Sequence, residues 1–463
     1  MKNKYIDLIQ QTFDFPIEEF DVIEDELHFN DIPLMEVIKK YGTPLKIYYL
    51  PVITDKIKKA KQFFNVAMAK ADYKGSYNYC YCTKSSHFSF ILEEVLKNNS
   101  HIETSSAFDL NIIENLNQSG LFGKEKFIIC NGFKRPQYIQ NIINLLNKDF
   151  SNLIPILDNK NELHQYTSKL KHKCKLGIRI AAEEEPNFEF YTSRLGIRYK
   201  DIIPYYLEYI KNNKKFELKM LHFFINTGIQ DNAYYWNELT KCVHVYCELK
   251  KECPELEYFN IGGGFPVKNS LSFSYDYEYM AEEIVQQIKN TCDQHNIPEP
   301  HIFTEFGSYT VGECGAVLFS VLDQKKQNDR EVWNMIDSSF MTTLPDSWAI
   351  NKKFVLLAIN NWESEYQRVF IGGLTCDSED FYNSEAHANA VFLPKFSKDK
   401  PLYIGLFNTG AYQESIGGYG GLQHCLIPAP KIVLIDREEN GEFTTKLFAK
   451  EQSYKSMLKI LGY

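Results

Sequence analysis

The chain has 463 residues, which is long enough for a deep core and for two or three domains. Charged residues make up 24% of it and hydrophobic residues 44%, a composition that excludes a disordered or collagen-like chain. Lys and Arg number 51 against 60 Asp and Glu, giving a formal net charge of −9. This balance disfavours a protein that binds nucleic acid through a basic face, and we expect a globular protein with a small-molecule ligand.

Cysteine usage and the N-terminal sequence indicate the compartment. The eleven cysteines are an odd number and include no Cys-x-x-Cys pair, so neither a disulfide framework nor a metal site is expected. Residues 1–8 lack the pattern of a signal peptide, and no apolar run is long enough to cross a bilayer. We therefore expect a cytoplasmic protein without a membrane partner.

The first part of the chain predicts a strand at 25–29 and a helix that begins near Pro33 and ends at Gly42. From there to Tyr309, short apolar runs alternate with longer amphipathic segments, which is the pattern of repeated βα units. The eight predicted strands cover residues 77–83, 101–105, 126–130, 153–157, 176–180, 219–225, 258–261 and 302–305. Eight consecutive units favour a closed, TIM-type (βα)8 barrel, with a doubly wound open sheet as the alternative.

After Gly312 the sequence is rich in predicted strands, and Asn440-Gly441 between two apolar runs predicts a hairpin. These strands cover residues 317–322, 354–359, 368–371, 402–407, 431–435 and 443–447. We infer a mostly β C-terminal domain that the N-terminal segment completes. The predicted division is an N-terminal segment at 1–42, a barrel at 43–310 and a β-rich domain at 311–463.

The ends of the predicted barrel strands are polar, and this is where a βα barrel carries its working residues. Lys84 is a candidate Schiff-base nucleophile, because an apolar barrel mouth would lower the pKa of its amine. The alternative is an ordinary lysine at the start of a loop, where lysine is common. Three glycines, Gly262, Gly263 and Gly264, allow backbone N–H groups to approach an anion, although a tight turn explains them equally well.

Two further strand ends carry titratable groups. Glu305 is a candidate hydrogen-bond partner for a ring nitrogen. The alternative is an ordinary carboxylate paired with a cation such as Arg179. His222 suits stacking on a planar ring, or a role as a core histidine. Together, a lysine, a glycine loop, an acid and an imidazole provide the four contacts that pyridoxal 5′-phosphate needs, and we expect this cofactor.

Longer motifs carry a family resemblance. They are Gly42-Thr43-Pro44-Leu45, the Lys84 strand, Gly262-Gly263-Gly264, residues 305–309, 344–350 and 374–378, and Gly410-Ala411-Tyr412-Gln413-Glu414. The chain resembles the fold-type III, alanine-racemase-like pyridoxal phosphate decarboxylases of basic amino acids, and among these it is most similar to the biosynthetic arginine decarboxylases. The resemblance runs over nearly the whole chain.

The resemblance implies a role for each matching residue. Lys84 would hold the cofactor as a Schiff base and His222 would stack on its ring. The three glycines and Tyr412 would bind the phosphate, and Glu305 would pair with the pyridine nitrogen. Glu103 and Arg179 align with polar residues near the cofactor. Ser308 stands where many relatives have a phosphate-binding arginine, so the charge partner of the phosphate stays open.

The resemblance also implies a substrate and an assembly. Cys376 would reach into the partner subunit's site and manage protonation of the substrate carbanion, while Asp377 and Asp346 would receive the distal cation of the substrate. Shared sites imply an obligate homodimer. The expected reaction is decarboxylation of L-arginine to agmatine in polyamine biosynthesis. The alternatives are another basic substrate, namely lysine, ornithine, meso-diaminopimelate or carboxynorspermidine, and a non-catalytic regulatory protein.

Overall fold

The computed structural model describes residues 3–12, 15–167, 169–183, 192–382 and 391–463. The chain divides into two compact units. The barrel unit consists of Ile53–Pro266 and Tyr275–Thr310, and the β unit consists of Met1–Val52, Val267–Ser274 and Val311–Tyr463. The chain thus first passes from the β unit into the barrel unit after Val52, whereas the sequence analysis places this boundary after residue 42.

In the described part of the chain, strands occur in both units. They are β1 (Phe20–Ile23), β2 (Glu26–Phe29), β3 (Ile32–Pro33), β4 (Leu45–Tyr49), β5 (Tyr77–Cys82), β6 (His101–Thr104), β7 (Ile128–Cys130), β8 (Leu153–Leu157), β9 (Cys174–Arg179), β10 (Phe216–His222), β11 (Tyr258–Asn260), β12 (His301–Phe306), β13 (Gly315–Lys326), β14 (Val332–Ile336), β15 (Val355–Ala358), β16 (Tyr366–Gly372), β17 (Val391–Pro394), β18 (Tyr403–Phe407), β19 (Lys431–Arg437) and β20 (Phe443–Ala449).

The helices alternate with the strands in the barrel unit and are shorter in the β unit. They are α1 (Tyr5–Thr12), α2 (Leu34–Tyr41), α3 (Pro51–Lys70), α4 (Ser89–Lys97), α5 (Ala107–Gln118), α6 (Pro136–Leu146), α7 (His164–Thr167), α8 (Tyr199–Tyr205), α9 (Ala233–Glu252), α10 (Tyr277–His295), α11 (Ser308–Val311), α12 (Phe340–Thr343), α13 (Pro345–Ile350), α14 (Gln413–Gly417) and α15 (Tyr454–Leu461). Within the described residues, no helix combines the length and the apolar character that crossing a membrane requires.

The barrel unit is a closed sheet of parallel strands in the order β10-β11-β12-β5-β6-β7-β8-β9. Its strands are apolar because one face packs against the helices and the other faces the barrel interior. In β8, for example, all five residues are buried. Several of the helices begin at a side-chain cap. Ser106 caps α5, Asn232 caps α9 and Asp276 caps α10. Closure confirms the predicted barrel and excludes the open sheet, and each predicted strand is present.

The β unit contains a large sheet in which β17-β16-β14-β13-β4-β19-β20 are successive neighbours, and β18 joins β13 to β15. The predicted hairpin is present, since β19 and β20 pair in antiparallel fashion and Gly441 between them has a positive φ of 88°. β4 pairs with both β13 and β19. The mostly β second domain, completed by the N-terminal segment, is therefore confirmed.

Candidate active site

Lys84 lies at the carboxyl end of β5, in the short helical turn Thr83–Ser85. Its Nζ is 3.2 Å from Oε2 of Glu103, a residue of β6 with no exposed surface, whereas 44% of the lysine side chain is exposed. The other carboxylate oxygen of Glu103 accepts hydrogen bonds from Ser105 Oγ at 2.9 Å and Asn131 Nδ2 at 3.1 Å. The amine thus lies at the opening of the barrel beside a buried anion.

Glu305, on β12, is a second buried carboxylate, held by two asparagines. Asn131 Nδ2 donates to both of its oxygens at 2.9 and 3.0 Å, and Asn260 Nδ2 donates to Oε1 at 2.6 Å. Asn131 follows β7 and Asn260 ends β11, so strands on both sides of the barrel position one side chain. The two amides leave the carboxylate little rotational freedom.

His222 ends β10 and is almost fully buried. Its Nε2 is 3.4 Å from Glu305 Oε2, and among the described residues neither ring nitrogen has a hydrogen-bond partner. Burial alone would raise the pKa of Glu305, but the charges of His222 and Lys84 and the Asn131 hydrogen bond hold it below its ordinary range. Glu305 is therefore an anion over the whole neutral range.

The glycine loop follows β11 and packs directly on neighbouring backbone. A Cβ on Gly263 would lie 2.0 Å from the carbonyl oxygen of Glu305, and one on Gly262 would lie 2.7 Å from that of Phe223. Gly264 has a positive φ of 122° and accepts a hydrogen bond from the Ile229 N–H at 3.0 Å. A side chain at these positions would clash with neighbouring backbone atoms, so only glycine lets the loop pack against the strand that carries Glu305.

Two other residues considered from the sequence lie at barrel strand ends. Arg179 ends β9, is paired in register with His222, and has its guanidinium carbon 5.8 Å from the centre of the Phe224 ring. Ser308 begins the short helix α11 directly after β12. Lys84, Glu103, His222 and Glu305 are thus brought together at one end of the barrel, and Arg179 is beside His222.

The residues present fit pyridoxal 5′-phosphate. Glu103 and Glu305 are two buried carboxylates that share one asparagine, and a buried anion is stable only when a cation or hydrogen-bond donor compensates it. A protonated ring nitrogen is such a partner for Glu305. A buried imidazole without hydrogen bonds and a loop that tolerates no Cβ provide surfaces for a ring and for a phosphate.

The remaining candidates lie in the β unit, in separate contacts. Asp346, in α13, accepts hydrogen bonds through Oδ2 from Gln413 Nε2 at 2.8 Å and Lys352 Nζ at 3.2 Å. Tyr412 precedes α14 in the left-handed conformation, with φ of 68°. Among the described residues, Asp346 contacts Gln413 and Lys352 whereas Asp377 lies beside His424, so the two predicted acidic residues have different neighbours.

Cys376 and Asp377 lie on the exposed loop that follows β16. Cys376 Sγ is 3.4 Å from Cys425 Sγ, and this neighbouring thiol raises the pKa of Cys376. Asp377 Oδ2 is 3.9 Å from His424 Nε2. The loop is anchored by buried Asp380, whose Oδ2 accepts from both the N–H and the hydroxyl of Thr375 at 3.1 and 2.7 Å.

Sequence reasoning missed Asn131 and Asn260 as site residues. The two asparagines stand at or just after predicted strand ends, so the same criterion that selected Lys84 and Glu305 was available for them. For Asp380, the resemblance implies only an intersubunit ion pair with Arg194, and that role stays a prediction. Its importance arises because Ser339 Oγ and the Phe340 N–H donate to its Oδ1, which ties the loop to the start of α12.

A closed βα barrel with a lysine, a buried carboxylate and a glycine loop at its opening has the groups that a pyridoxal-phosphate-binding barrel needs. The sequence profile of the family described as pyridoxal-dependent decarboxylase, pyridoxal binding domain, matches residues 54–312. This is more than half of the chain, and the chain belongs to that family. It is an enzyme, and pyridoxal 5′-phosphate is its cofactor.

Similar proteins extend the match beyond the barrel. The biosynthetic arginine decarboxylase of Prochlorococcus marinus (strain AS9601) is 23% identical, with 96% of this chain and 87% of that protein covered. The crystal structure of the biosynthetic arginine decarboxylase of Campylobacter jejuni shares the fold with a TM-score of 0.81 at 20% identity, covering 96% and 89%. Diaminopimelate decarboxylase of M. jannaschii, in complex with L-lysine, has a TM-score of 0.77 at 18% identity, covering 95% and 97%.

Proposed function

We propose that the protein decarboxylates L-arginine to agmatine and carbon dioxide. The observation that carries the proposal is the buried Glu305 carboxylate, which two asparagines hold and whose pKa the neighbouring His222 and Lys84 keep below its ordinary value. An anion in this position maintains a positive charge on a facing ring nitrogen. When bound, pyridoxal phosphate supplies a ring that accepts the electron pair left on the substrate α-carbon as carbon dioxide departs.

The other barrel residues bind and orient. Lys84 provides the amine for covalent attachment, and the Glu103 carboxylate 3.2 Å away accepts a proton from that amine or returns one. His222 packs against a ring face because its imidazole is buried and flat. Backbone N–H groups of Gly262, Gly263 and Gly264 bind the phosphate, and Arg179 and Tyr412 contribute polar contacts near the cofactor.

A cationic side chain of the substrate binds to carboxylates of the β unit. Asp346 already accepts a hydrogen bond from the Lys352 ammonium at 3.2 Å, so this carboxylate suits a cation. Asp377 adds a second acidic group on an exposed loop. Arginine suits such acceptors because its planar guanidinium donates two parallel hydrogen bonds to one carboxylate.

Cys376 provides the proton that replaces the departing carboxylate. The pKa of its thiol lies above the ordinary value, so the thiol carries a proton at neutral pH. The enzyme acts as a homodimer in which the Cys376 loop of each subunit completes the site of the other, as the resemblance to arginine decarboxylases implies.

A second candidate function is decarboxylation of another basic amino acid. The similarity in fold to a diaminopimelate decarboxylase solved with L-lysine favours this alternative. The two are distinguished by incubating the pyridoxal-phosphate-loaded enzyme with carboxyl-labelled arginine, lysine, ornithine, diaminopimelate and carboxynorspermidine, and measuring the release of labelled carbon dioxide. We expect the largest kcat/KM for arginine. Faster turnover of another substrate would replace the proposal, and no release from any of the five would exclude decarboxylation of these amino acids.

Replacing Lys84 tests the covalent attachment. We expect Lys84→Ala to lose the absorbance of the bound cofactor Schiff base and all measurable turnover, because no other residue is proposed to attach the cofactor. The control is Lys175→Ala, which removes a lysine near the start of barrel strand β9, where Nζ bonds to Asn152 Oδ1 at 2.6 Å. Turnover by Lys84→Ala at the wild-type rate would contradict the assignment.

A further inference from the structure

Cys376, His424 and Cys425 form a cluster on the surface of the β unit. One ligand atom from each residue lies within 4.8 Å of the others, and the two sulfur atoms are 3.4 Å apart. All three residues are exposed, whereas every other cysteine of the chain is buried. In the single chain, the cluster therefore combines two exposed thiols with an exposed imidazole.

Both segments that carry the cluster are held in place by local structure. Asp380 binds the backbone and hydroxyl of Thr375, the residue before Cys376. His424 and Cys425 lie in a short turn in which Cys425 is left-handed, with φ of 54° and ψ of 17°. This backbone conformation is uncommon for a residue with a side chain. Cys425 adopts this conformation at the point where it and the adjacent His424 both approach Cys376.

The donor set matches the chemistry of a thiophilic divalent metal. Cysteine thiolates and histidine nitrogens are the ligands that zinc prefers, and three protein ligands leave a fourth position for water. The Asp377 carboxylate lies 3.9 Å from His424 Nε2 and adds a negative charge beside the cluster. Binding requires no oxidant, because each thiol releases its proton to solvent as its bond to the metal forms.

We propose that Cys376, His424 and Cys425 bind one thiophilic divalent metal ion per chain, with Zn²⁺ as the representative ion. All three ligands belong to the β unit. Metal binding has a consequence for activity that rests on the proposed function: a metal-bound Cys376 thiolate carries no proton to donate, so the bound metal inhibits decarboxylation reversibly.

The binding test uses the reduced, pyridoxal-phosphate-loaded enzyme without oxygen. Titration with Co²⁺ is expected to produce thiolate-to-cobalt charge-transfer absorption that saturates at one ion per chain and disappears when Zn²⁺ is added. Cys425→Ser and His424→Ala are expected to weaken binding by more than about tenfold. The matched control is His244→Ala, which removes a surface histidine whose Nδ1 is 2.7 Å from His295 Nε2 and should leave the titration unchanged.

Absence of the charge-transfer absorption in the wild-type enzyme, or equal affinity in Cys425→Ser and the wild type, overturns the proposal. Activity is measured separately. We expect Zn²⁺ to inhibit the wild type with the midpoint found for binding, and a chelator to restore the rate. Binding without inhibition would leave the metal site in place and count against the catalytic role of Cys376, so the two failures are distinguishable.

Discussion

Asn131 is the residue on which the polar core of the site depends. Its one amide nitrogen is within hydrogen-bonding distance of Glu103 and of both oxygens of Glu305. Two carboxylates that repel each other are thereby held around a common donor. This sharing keeps Glu103 available to Lys84 while Glu305 stays oriented toward the barrel interior, which is the arrangement that the proposed chemistry requires.

Removing the charge of Glu305 tests its electronic role. Glu305→Gln keeps the size of the side chain but cannot keep a ring nitrogen protonated. We expect kcat to fall roughly 10²–10³-fold, the effect of losing one preorganised electrostatic group, while cofactor absorbance is retained. Glu299→Gln, which alters a carboxylate paired with Lys289 at 3.0 Å, is the control. An unchanged kcat in Glu305→Gln would refute the role.

The lowered pKa of Glu305 also predicts a pH dependence of stability. The folded-state pKa lies below the ordinary value of 4.5, so the ionised carboxylate stabilises the fold above that pH, and this contribution is lost as the pH falls through the folded-state pKa. Between pH 7 and pH 3, we expect the wild type to lose more free energy of unfolding than Glu305→Gln. Urea unfolding of both apoproteins measures this, and equal losses would contradict the prediction.

At the scale of elements, the turn from β6 into α5 shows how a helix start supports Glu103, a site residue four positions before the helix begins. Ser106 Oγ accepts a hydrogen bond from the Asp109 N–H, and Asp109 Oδ2 accepts from the N–H groups of Ser105 and Ser106 at 2.8 and 2.9 Å. This reciprocal cap fixes Ser105, whose hydroxyl donates to Glu103.

Breaking this cap is expected to cost stability. Asp109→Ala removes the acceptor of two backbone donors and the contact of Oδ1 with His87 Nε2 at 2.9 Å. We expect the free energy of unfolding to fall by about 1–2 kcal/mol, measured by urea denaturation. Glu114→Ala, on the same helix, removes only a surface ion pair with Lys148 and should change stability by less than about 0.5 kcal/mol. Equal effects of both variants would show that the cap is unimportant.

The contact between the glycine loop and β12 gives a second prediction at this scale. The Cβ of Gly263→Ala would lie 2.0 Å from the Glu305 carbonyl oxygen, so the loop must move away from the strand. We expect cofactor affinity to fall by more than about tenfold, because phosphate binding requires this approach. Gly120→Ala is the control. It strains the backbone, because φ is +80° there, but nothing lies within 4 Å of the added atom. Cofactor titration that shows no difference between the two variants would argue against the loop's role.

At the scale of the whole molecule, the proposal that two subunits share each site predicts complementation. Lys84→Ala and Cys376→Ala are each expected to be inactive or nearly so. Random mixing of the two chains gives heterodimers in which one of the two sites has both native residues. We expect about one quarter of wild-type activity after co-expression, because half of the dimers are mixed and half of their sites are intact. Absence of recovery, with mixed dimers shown to be present, would contradict shared sites.

Much of the barrel was predictable because hydrophobic periodicity is a local property of the chain. All eight predicted strands are present within the described residues, and 153–157 agrees at both ends with β8. The sixth prediction extended to Ile225, whereas β10 ends at His222. The apolar residues that follow are buried in the loop instead of the strand, and periodicity does not distinguish these two kinds of burial.

Closure of the barrel and the contacts across it were decided only in the tertiary structure. The sequence by itself determined the order of the βα units and selected Lys84, His222, Glu305 and the three glycines, since these stand at strand ends. It did not reveal that Asn131 and Asn260 hold Glu305, or that β4 pairs with β19 far along the chain. Such contacts join residues distant in sequence, and their formation depends on which strands become neighbours when the sheets assemble.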